Sequence, residues 1–589
     1  MNQIDVRFNV KTRRLVLTLP VYMADVAREF PARRFDPRTK TWGLPLVKSN
    51  IVHLKSVEHK YQFVFDDAAL AAIEDYERLC AQPQMVPFPS HIYDFTRSST
   101  KLVPMKHQTL MLDNTWALTE SAWFARMGTG KTFAAIHLAF ARWQFGQIDA
   151  VVIICPSTLR SVWRKELAKY ATGPYDYRTH DTRAAWYDDY CRAKPRDALQ
   201  ILAVSVEGLG VSAGLYDSVC QFYSNGKRIM TIVDESSRIK NPDAKRTKRT
   251  IELGAVSAYR LILNGTPIAL GIQDLWSQYE FLNPNIVGTG DYYSFKSRYA
   301  VMGGYEARQI IGYRNVDELM NVVKPYTTVV DKDVLDLPPK VMTERFIEIT
   351  AEQRKYLRLI AKGSSPDPAA PYIKAENVLE KLLRARQVVG GWLPKGNITH
   401  REIDGQMVES ITTELIPLRE NPKLDALLET IEDNYDGSKF IIWSTFVHEI
   451  EAIRDRLITI YGAPAVECYF GGTSMNDRSC VEDSYCNDPK MRFFIGHPSA
   501  AGLGLTLVSD YNDVMLYYSG TNAYIDRAQS EDRAHRKGQT NTVTIVDFIA
   551  EKTIDEVIIE SIRNKMDVDA FVTTRLRGGQ SITDLIIQD

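Results

Sequence analysis

Residues 122–132 read AWFARMGTGKT, with the spacing A-x-x-x-x-G-K-T. Gly128 and Gly130 would free the backbone to curl, so that the N–H groups of Met127, Gly128, Thr129 and Gly130 face phosphate oxygens. Lys131 would then reach the β- and γ-phosphates, and the Thr132 hydroxyl would be placed to ligate Mg²⁺. A glycine turn ahead of a helix would read the same way in isolation. The strand-like WFA before it and the helically spaced FAAIHLAFARW after it favour the phosphate-binding reading. A second acidic element, RIMTIVDESSRIKN (228–241), ends an apolar run in Asp234-Glu235. At the carboxyl edge of a sheet, Asp234 would hold Mg²⁺ and Glu235 would orient and deprotonate an attacking water. The third element, QSEDRAHRKGQ (529–539), spaces Arg533 and Arg536 three apart. On a helix both would project from one face, and Gly538-Gln539 would end that helix. D-R-x-H-R-x-G-Q fixes six positions, with a chance occurrence of about one in 10⁵ in a chain of this length. Two arginines supplied by a separate lobe suit the neutralisation of γ-phosphate charge.

Such groups need rigid elements to carry them. From about 100 to 285, apolar runs (WFARM, AVVIIC, LQILAVSV, RIMTIVDE, YRLILNG) alternate with helical stretches, and the pattern returns at 438–560 in KFIIWS, AVECYF, RFFIGH, DVMLYY and TVTIVDF. The alternation predicts two parallel-sheet α/β lobes. We expect a small α+β N-terminal domain with its linker over 1–95, a first lobe over 96–285, a partly helical connector over 286–415, a second lobe over 416–570 and a tail over 571–589. Of the 589 residues 45% are hydrophobic and 25% charged, as in ordinary globular protein. The seven cysteines are scattered, which argues against zinc ribbons and disulfide frameworks and fits a reducing compartment. The longest apolar runs are too short to span a bilayer, and the N-terminus has no apolar run suited to a signal peptide. These features predict a soluble intracellular protein without a membrane partner.

The net charge of −1 conceals segregation. The first 50 residues hold ten Lys/Arg against four Asp/Glu, a local net of +6, and residues 238–249 hold Arg238, Lys240, Lys245, Arg246, Lys248 and Arg249 against Asp243. Solvated helix faces would account for one such run; two favour a phosphate-backbone partner.

Taken in order, the motifs resemble those of a Swi/Snf-type ATPase of helicase superfamily two. MKHQ (105–108) resembles the adenine-reading Q motif with Gln108 as base contact, and MGTGKT motif I. ICPSTLRSVWRKEL (154–167) is similar to motif Ia, LAVSVEGL (202–209) to motif Ib, DESSRIKN to motif II and RLILNGTPIALGIQDLWS (260–277) to motif III. LPPKVMTERFIEITAEQRKYL (337–357) resembles the inter-lobe linker, KFIIWSTF (439–446) motif IV, SAAGLGLTL (499–507) motif V and QSEDRAHRKGQ motif VI. The likeness covers roughly 100–560. It implies two RecA-like lobes, ATP and Mg²⁺ as cofactors, catalytic roles for Lys131, Asp234, Glu235, Gln529, Arg533 and Arg536, and movement along duplex DNA. It also implies DNA-backbone contacts at Ser157, Arg160 and Trp163, at Ser444 and Thr445, and at Ser499 and Thr506. Departures stand at Phe124-Ala125-Arg126 in place of an acidic pair, at Ser237 in place of a histidine, at Asn264 in place of a threonine, and at Ser499-Ala500-Ala501. They put the coupling of hydrolysis to the second lobe in question.

Residues 30–46, FPARRFDPRTKTWGLPL, resemble part of the HARP-type accessory domain of annealing helicases. That likeness implies that Arg33, Arg34, Arg38 and Lys40 bind DNA phosphates near a junction, while Phe35 and Trp42 anchor the fold or stack on bases. The combined expectation is a monomeric, DNA-dependent ATPase that translocates on or remodels double-stranded or branched DNA, anneals strands or regresses forks. It would act beside a replication, recombination or transcription protein, in the cytoplasm of a bacterial or phage-infected cell, or in the nucleus of a eukaryote. The alternatives are an ATPase that displaces a protein such as RNA polymerase from DNA, the motor subunit of a restriction or defence assembly, and a catalytically silent DNA-binding scaffold.

Overall fold

The structure, a computed structural model, describes residues 3–588 apart from 10–13, 31–32, 47, 81–85, 181–185, 194–196, 266–270, 304–308, 336, 364–377, 404–405, 471–474, 502–504 and 537–538. Thr266 and Pro267 of motif III, Gly502–Gly504 of motif V and Gly538 therefore lie outside the described residues. The chain divides into two units, Met1–Val334 and Leu335–Asp589.

The first unit is built on a seven-stranded parallel sheet. Its order is Thr327–Val330, Glu120–Ala125, Tyr259–Asn264, Ile229–Asp234, Ala150–Cys155, Leu199–Ser205, Tyr175–Thr179. AVVIIC and IMTIVD are buried at every position, because helices cover both faces of a parallel sheet. Parallel pairing brings the strand ends to one carboxyl edge, where ligands bind in such folds. Unit 2 repeats the plan with a six-stranded parallel sheet ordered Lys340–Ile347, Val543–Ala550, Asn512–Tyr517, Ser438–Trp443, Phe493–Gly496, Val466–Tyr469. All ten strands named from the sequence are present, and both lobes are parallel α/β as expected.

The boundaries need correction. The short strand Thr327–Val330 lies within the expected connector, yet it pairs with Ala122–Ala125 and closes the first sheet. KVMTERFI (340–347), also expected in the connector, pairs along its whole length with Val543–Ala550. As an edge strand it is mostly exposed, so it lacks the apolar run that marks its neighbours. The rest of the connector includes helices Tyr292–Tyr299, Val316–Val323, Ala351–Ala361 and Val378–Val389, plus two unexpected antiparallel pairs, Ala300–Gly303 with Gln309–Tyr313 and Trp392–Ile403 with Gln406–Pro417. The expected tail is not one. Helices Val568–Arg577 and Ile582–Ile586 bury Phe571, Val572, Leu585 and Ile586 in the core of unit 2, and Ile587 bridges Thr553.

The N-terminal part of unit 1 is an α+β domain whose sheet runs Arg34–Asp36, Thr41–Pro45, Arg14–Thr18, Gln3–Asn9, Gln62–Phe65. Its core runs on to Tyr76 of the helix Asp67–Cys80. Arg78 of that helix reaches the fully buried Glu120 (3.3 Å), which also pairs with Arg260 (2.6 Å), and Asn283 donates to Asp75 (3.1 Å). The domain is thus fastened to the first residue of the strand that leads into the glycine loop.

Candidate active site

The glycine loop leaves the carboxyl end of the strand Glu120–Ala125, and Gly130 caps the helix Lys131–Gln144. Gly128 (φ 83°) and Gly130 (φ 82°) both take the left-handed region, which only glycine enters without strain. Thr129 is buried between them. Its hydroxyl donates to the Arg126 carbonyl (2.7 Å), and its own carbonyl accepts from His107 Nε2 (2.8 Å) and Gln108 Nε2 (3.1 Å). The Gln108 Oε1 meanwhile accepts from the Met105 N–H (2.9 Å). Gln108 is thus buried, with one oxygen lone pair and one N–H of its carboxamide bracing the loop.

A Cβ at Gly130 would lie 2.1 Å from Gln108 Nε2. Gly130→Ala combines that clash with left-handed strain of roughly 1–2 kcal/mol. It is expected to weaken nucleotide affinity at least tenfold in a calorimetric titration. Adding Gln108→Ala removes the clash but leaves the strain and takes away the brace on Thr129, so the affinity should not recover.

Lys131 and the acidic pair converge on this edge. The Lys131 ammonium lies 2.5 Å from the Ala125 carbonyl and 3.4 Å from that of Arg126. Asp234 ends the strand two places from the loop strand, with Tyr259–Asn264 between them. Its Oδ1 accepts from the Glu235 N–H (3.0 Å) and its Oδ2 from the Trp163 indole (2.9 Å). Burial and the adjacent Glu235 charge push the Asp234 carboxyl up to about 6, against the opposing pull of Lys131 and the indole. Glu235 is itself buried and sits at φ 53°, ψ 55°, capping the short 3₁₀ turn Ser236–Ile239. A non-glycine residue held there stores roughly 1–2 kcal/mol, a cost met mainly at functional positions.

The donor set fits a hard divalent cation. No cluster of three or more His, Cys, Asp or Glu side chains able to hold a metal exists among the described residues. The ligands expected from the sequence, Asp234, the Thr132 hydroxyl and a nucleotide's phosphates, would make the oxygen-rich arrangement Mg²⁺ prefers. Two buried, adjacent carboxyl groups are also the environment in which a cation relieves like-charge repulsion.

Local contacts are seen at or beside two of the sequence departures. Arg126, which stands in place of an acidic residue, pairs with Asp331 at 3.5 Å, just beyond the edge strand Thr327–Val330. Beside Ser237, the buried Ser236 hydroxyl donates to Gln278 Oε1 (2.6 Å), tying the acidic element to the helix Asp274–Leu282.

The residues expected on DNA separate into two groups. Trp163 is 1% exposed and Ser444 is 0% exposed, so neither meets a backbone as folded, and both expectations are corrected. Ser444 donates instead to Glu449 Oε2 (2.5 Å), and burial raises that carboxyl to about 7. The Ser157 hydroxyl is shared with Ser205 (2.7 Å) and faces Glu207 (3.4 Å). Arg160 is half-buried at the start of the helix Leu159–Tyr170 and donates to the Ser157 carbonyl (3.3 Å). In unit 2, Thr445 accepts from Arg386 Nη2 (2.8 Å), Ser499 is exposed beside His497 Nδ1 (2.9 Å), and Thr506 Oγ1 accepts from Arg536 (2.9 Å). Arg386 and Glu207 were not singled out from the sequence, because each gains its partner only across more than 45 residues of chain or by a turn no motif announces.

The arginine motif is not helical where expected. The helix Tyr524–Glu531 stops before both arginines, which lie in the following turns. Arg533 is 1% exposed and donates to the carbonyls of Gln529 and Leu505 (both 3.0 Å). Half-buried Arg536 reaches the Leu505 carbonyl (3.2 Å) and Thr506. Beneath them, buried Arg527 forks onto Asp547 (2.5 and 2.9 Å) and stacks 3.5 Å from the Tyr517 ring. Gln529 is half-buried and lends its backbone carbonyl to Arg533.

In the N-terminal domain, Phe35 and Trp42 face each other across a hairpin with ring centroids 4.9 Å apart. Trp42 packs on the domain core while Phe35 is 45% exposed. Arg33, Arg34, Arg38 and Lys40 are all exposed, although Arg33 also donates to the Phe30 carbonyl (2.6 Å).

The SNF2-related domain family matches residues 123–389. The ATP-dependent helicase FUN30 of Saccharomyces cerevisiae is 25% identical over 76% of this chain and 44% of its own length. The TATA-binding protein-associated factor 172 of Homo sapiens is 24% identical over 75% of this chain and 26% of its own. The chain thus spans less than half the length of these relatives. Among solved structures, the SWI2/SNF2 ATPase core of Sulfolobus solfataricus in complex with dsDNA is 23% identical, with a TM-score of 0.35 over 86% of this chain and 99% of that one.

Proposed function

We propose that this chain, which carries an SNF2-related domain, is an ATP-hydrolysing motor that translocates on or remodels double-stranded or branched DNA. The observation that carries the reading is the convergence of Lys131 with Asp234 and Glu235 on one carboxyl edge, beside a loop whose two glycines take the left-handed backbone. Lys131 and the loop N–H groups bind the phosphates, and Glu235 orients the attacking water and accepts its proton. Asp234 and Thr132 hold Mg²⁺, which neutralises phosphate charge when bound. The resemblance of the arginine motif assigns Arg536 and Gln529 to the chemistry of the γ-phosphate. Buried Arg533 shares the Leu505 carbonyl with Arg536. Arg160, Thr445, Ser499 and Thr506 supply DNA-backbone contacts that carry no sequence information.

The exposed hairpin bearing Arg34, Arg38, Lys40 and Phe35 is proposed to read DNA structure, in line with its resemblance to the HARP-type domain. Arg33 contributes to the same field. A monomer acting in the cytoplasm or nucleus completes the reading. A second reading is displacement of a DNA-bound protein; two relatives are named as factors associated with TATA-binding protein.

ATP turnover measured with single strands, blunt duplex, forks and RNA tests both readings. DNA should stimulate turnover and RNA should not; no stimulation by any DNA refutes the motor. The triple change Arg34→Ala/Arg38→Ala/Lys40→Ala should weaken fork binding about tenfold and lower its salt slope by about 2–3, with duplex-stimulated turnover retained. Equal turnover on forks and blunt duplex, unaffected by the triple change, favours displacement.

A further inference from the structure

Trp163 occupies the inward face of the helix Leu159–Tyr170 with Leu159 and Leu167, one turn to either side. A buried indole is a donor only, and its N–H must find an acceptor. Here the acceptor is Asp234 Oδ2, 71 residues away and at 2.9 Å. The other oxygen of the same carboxylate takes the Glu235 N–H at 3.0 Å. Asp χ2 is broad and roughly two-fold in the absence of such contacts. Two donors from different elements, one on each oxygen, hold the carboxylate plane in one orientation. A carboxylate accepts about four hydrogen bonds, so lone pairs remain on both oxygens for a cation or its water. A hydrogen bond to a charged acceptor is also stronger than one between neutral groups, so this contact outweighs ordinary core satisfaction.

We propose that Trp163 is a positioning residue of the nucleotide site, its indole N–H holding Asp234 in the orientation that receives the divalent cation of the bound nucleotide. This rests on the reading of Asp234 given above. It assigns to the motif Ia tryptophan a task unlike the DNA contact expected from sequence. The helix that begins at the strand-end residues Pro156–Thr158 thereby also fixes the cation's carboxylate one turn further on.

The cleanest probe replaces Trp163 in the full chain by 3-benzothienylalanine, which puts sulfur where the N–H stands and keeps the ring's shape. Binding of a fluorescent ADP analogue is titrated with Mg²⁺ and, separately, in EDTA. The half-saturating Mg²⁺ concentration should rise about tenfold, with EDTA binding unchanged and a thermal midpoint lowered by the loss of one buried hydrogen bond. Trp163→Phe should give the same Mg²⁺ shift with a lower thermal midpoint. At a fixed high Mg²⁺ concentration, the benzothienyl side chain should weaken ADP binding in the Asp234 protein and add nothing in the Asp234→Ala background. An unshifted Mg²⁺ dependence in a folded benzothienyl protein overturns the proposal, as does an equal loss in the Asp234→Ala background. If the unaltered protein binds ADP with no dependence on Mg²⁺, it is the Asp234 reading that fails.

Discussion

Arg536→Ala is expected to lower DNA-stimulated ATP turnover by about 10³-fold, while ATP and DNA affinities stay within a few fold. The guanidinium of Arg536 is half-buried and held loosely, by the Leu505 carbonyl at 3.2 Å and the Thr506 hydroxyl at 2.9 Å. Those two contacts are exchangeable for phosphate oxygens at little cost. Arg533→Ala should behave differently, although it lies three residues away in the same motif. Arg533 fills a site that is 1% exposed and satisfies two backbone carbonyls. Its removal leaves a cavity and two unpaired acceptors, a loss of about 2–4 kcal/mol in stability. Chemical denaturation together with single-turnover kinetics separates the two. Equal stability losses in both variants, or an Arg533→Ala protein of normal stability that is merely slow, would contradict the division.

Glu235→Gln should abolish measurable turnover, by at least 10²-fold and up to about 10⁴-fold, and still bind nucleotide and DNA. The change keeps the shape of a buried side chain and removes only its capacity to take a proton. The left-handed backbone at φ 53° supplies a second arm. Glu235→Gly should be equally inactive yet retain or gain stability by about 1 kcal/mol, because glycine adopts that conformation without strain. A Glu235→Gln protein that hydrolyses ATP at the original rate would remove the residue from its water-activating role. A destabilised Glu235→Gly protein would show that the side chain, and not its backbone geometry, sustains the turn.

The parts of this protein legible in the chain are those whose cause is local. Strands such as AVVIIC and KFIIWS announce themselves because a strand covered on both faces must be apolar throughout. The glycine loop is legible because positive φ calls for glycine, and Asp234-Glu235 because an acidic pair at the end of an apolar run stands at a sheet edge. Misreadings cluster where partners are distant. KVMTERFI looked like linker because an edge strand is half solvated, and the C-terminal helices looked like a tail because their apolar residues are few but fully used.

Residue types and spacing by themselves determined two parallel α/β lobes, a glycine loop, an acidic pair and a basic-aromatic stretch. Each follows from backbone conformation or from burial periodicity within a few residues. Only the tertiary structure decided what the polar side chains are bonded to. Trp163 pairs with a carboxylate 71 residues away instead of facing solvent, and Gln108 bonds the Thr129 carbonyl of the glycine loop. Arg533 is buried and shares the Leu505 carbonyl with Arg536. A hydrogen bond is set by distance and exposure, and neither is a property of a residue's neighbours in the chain.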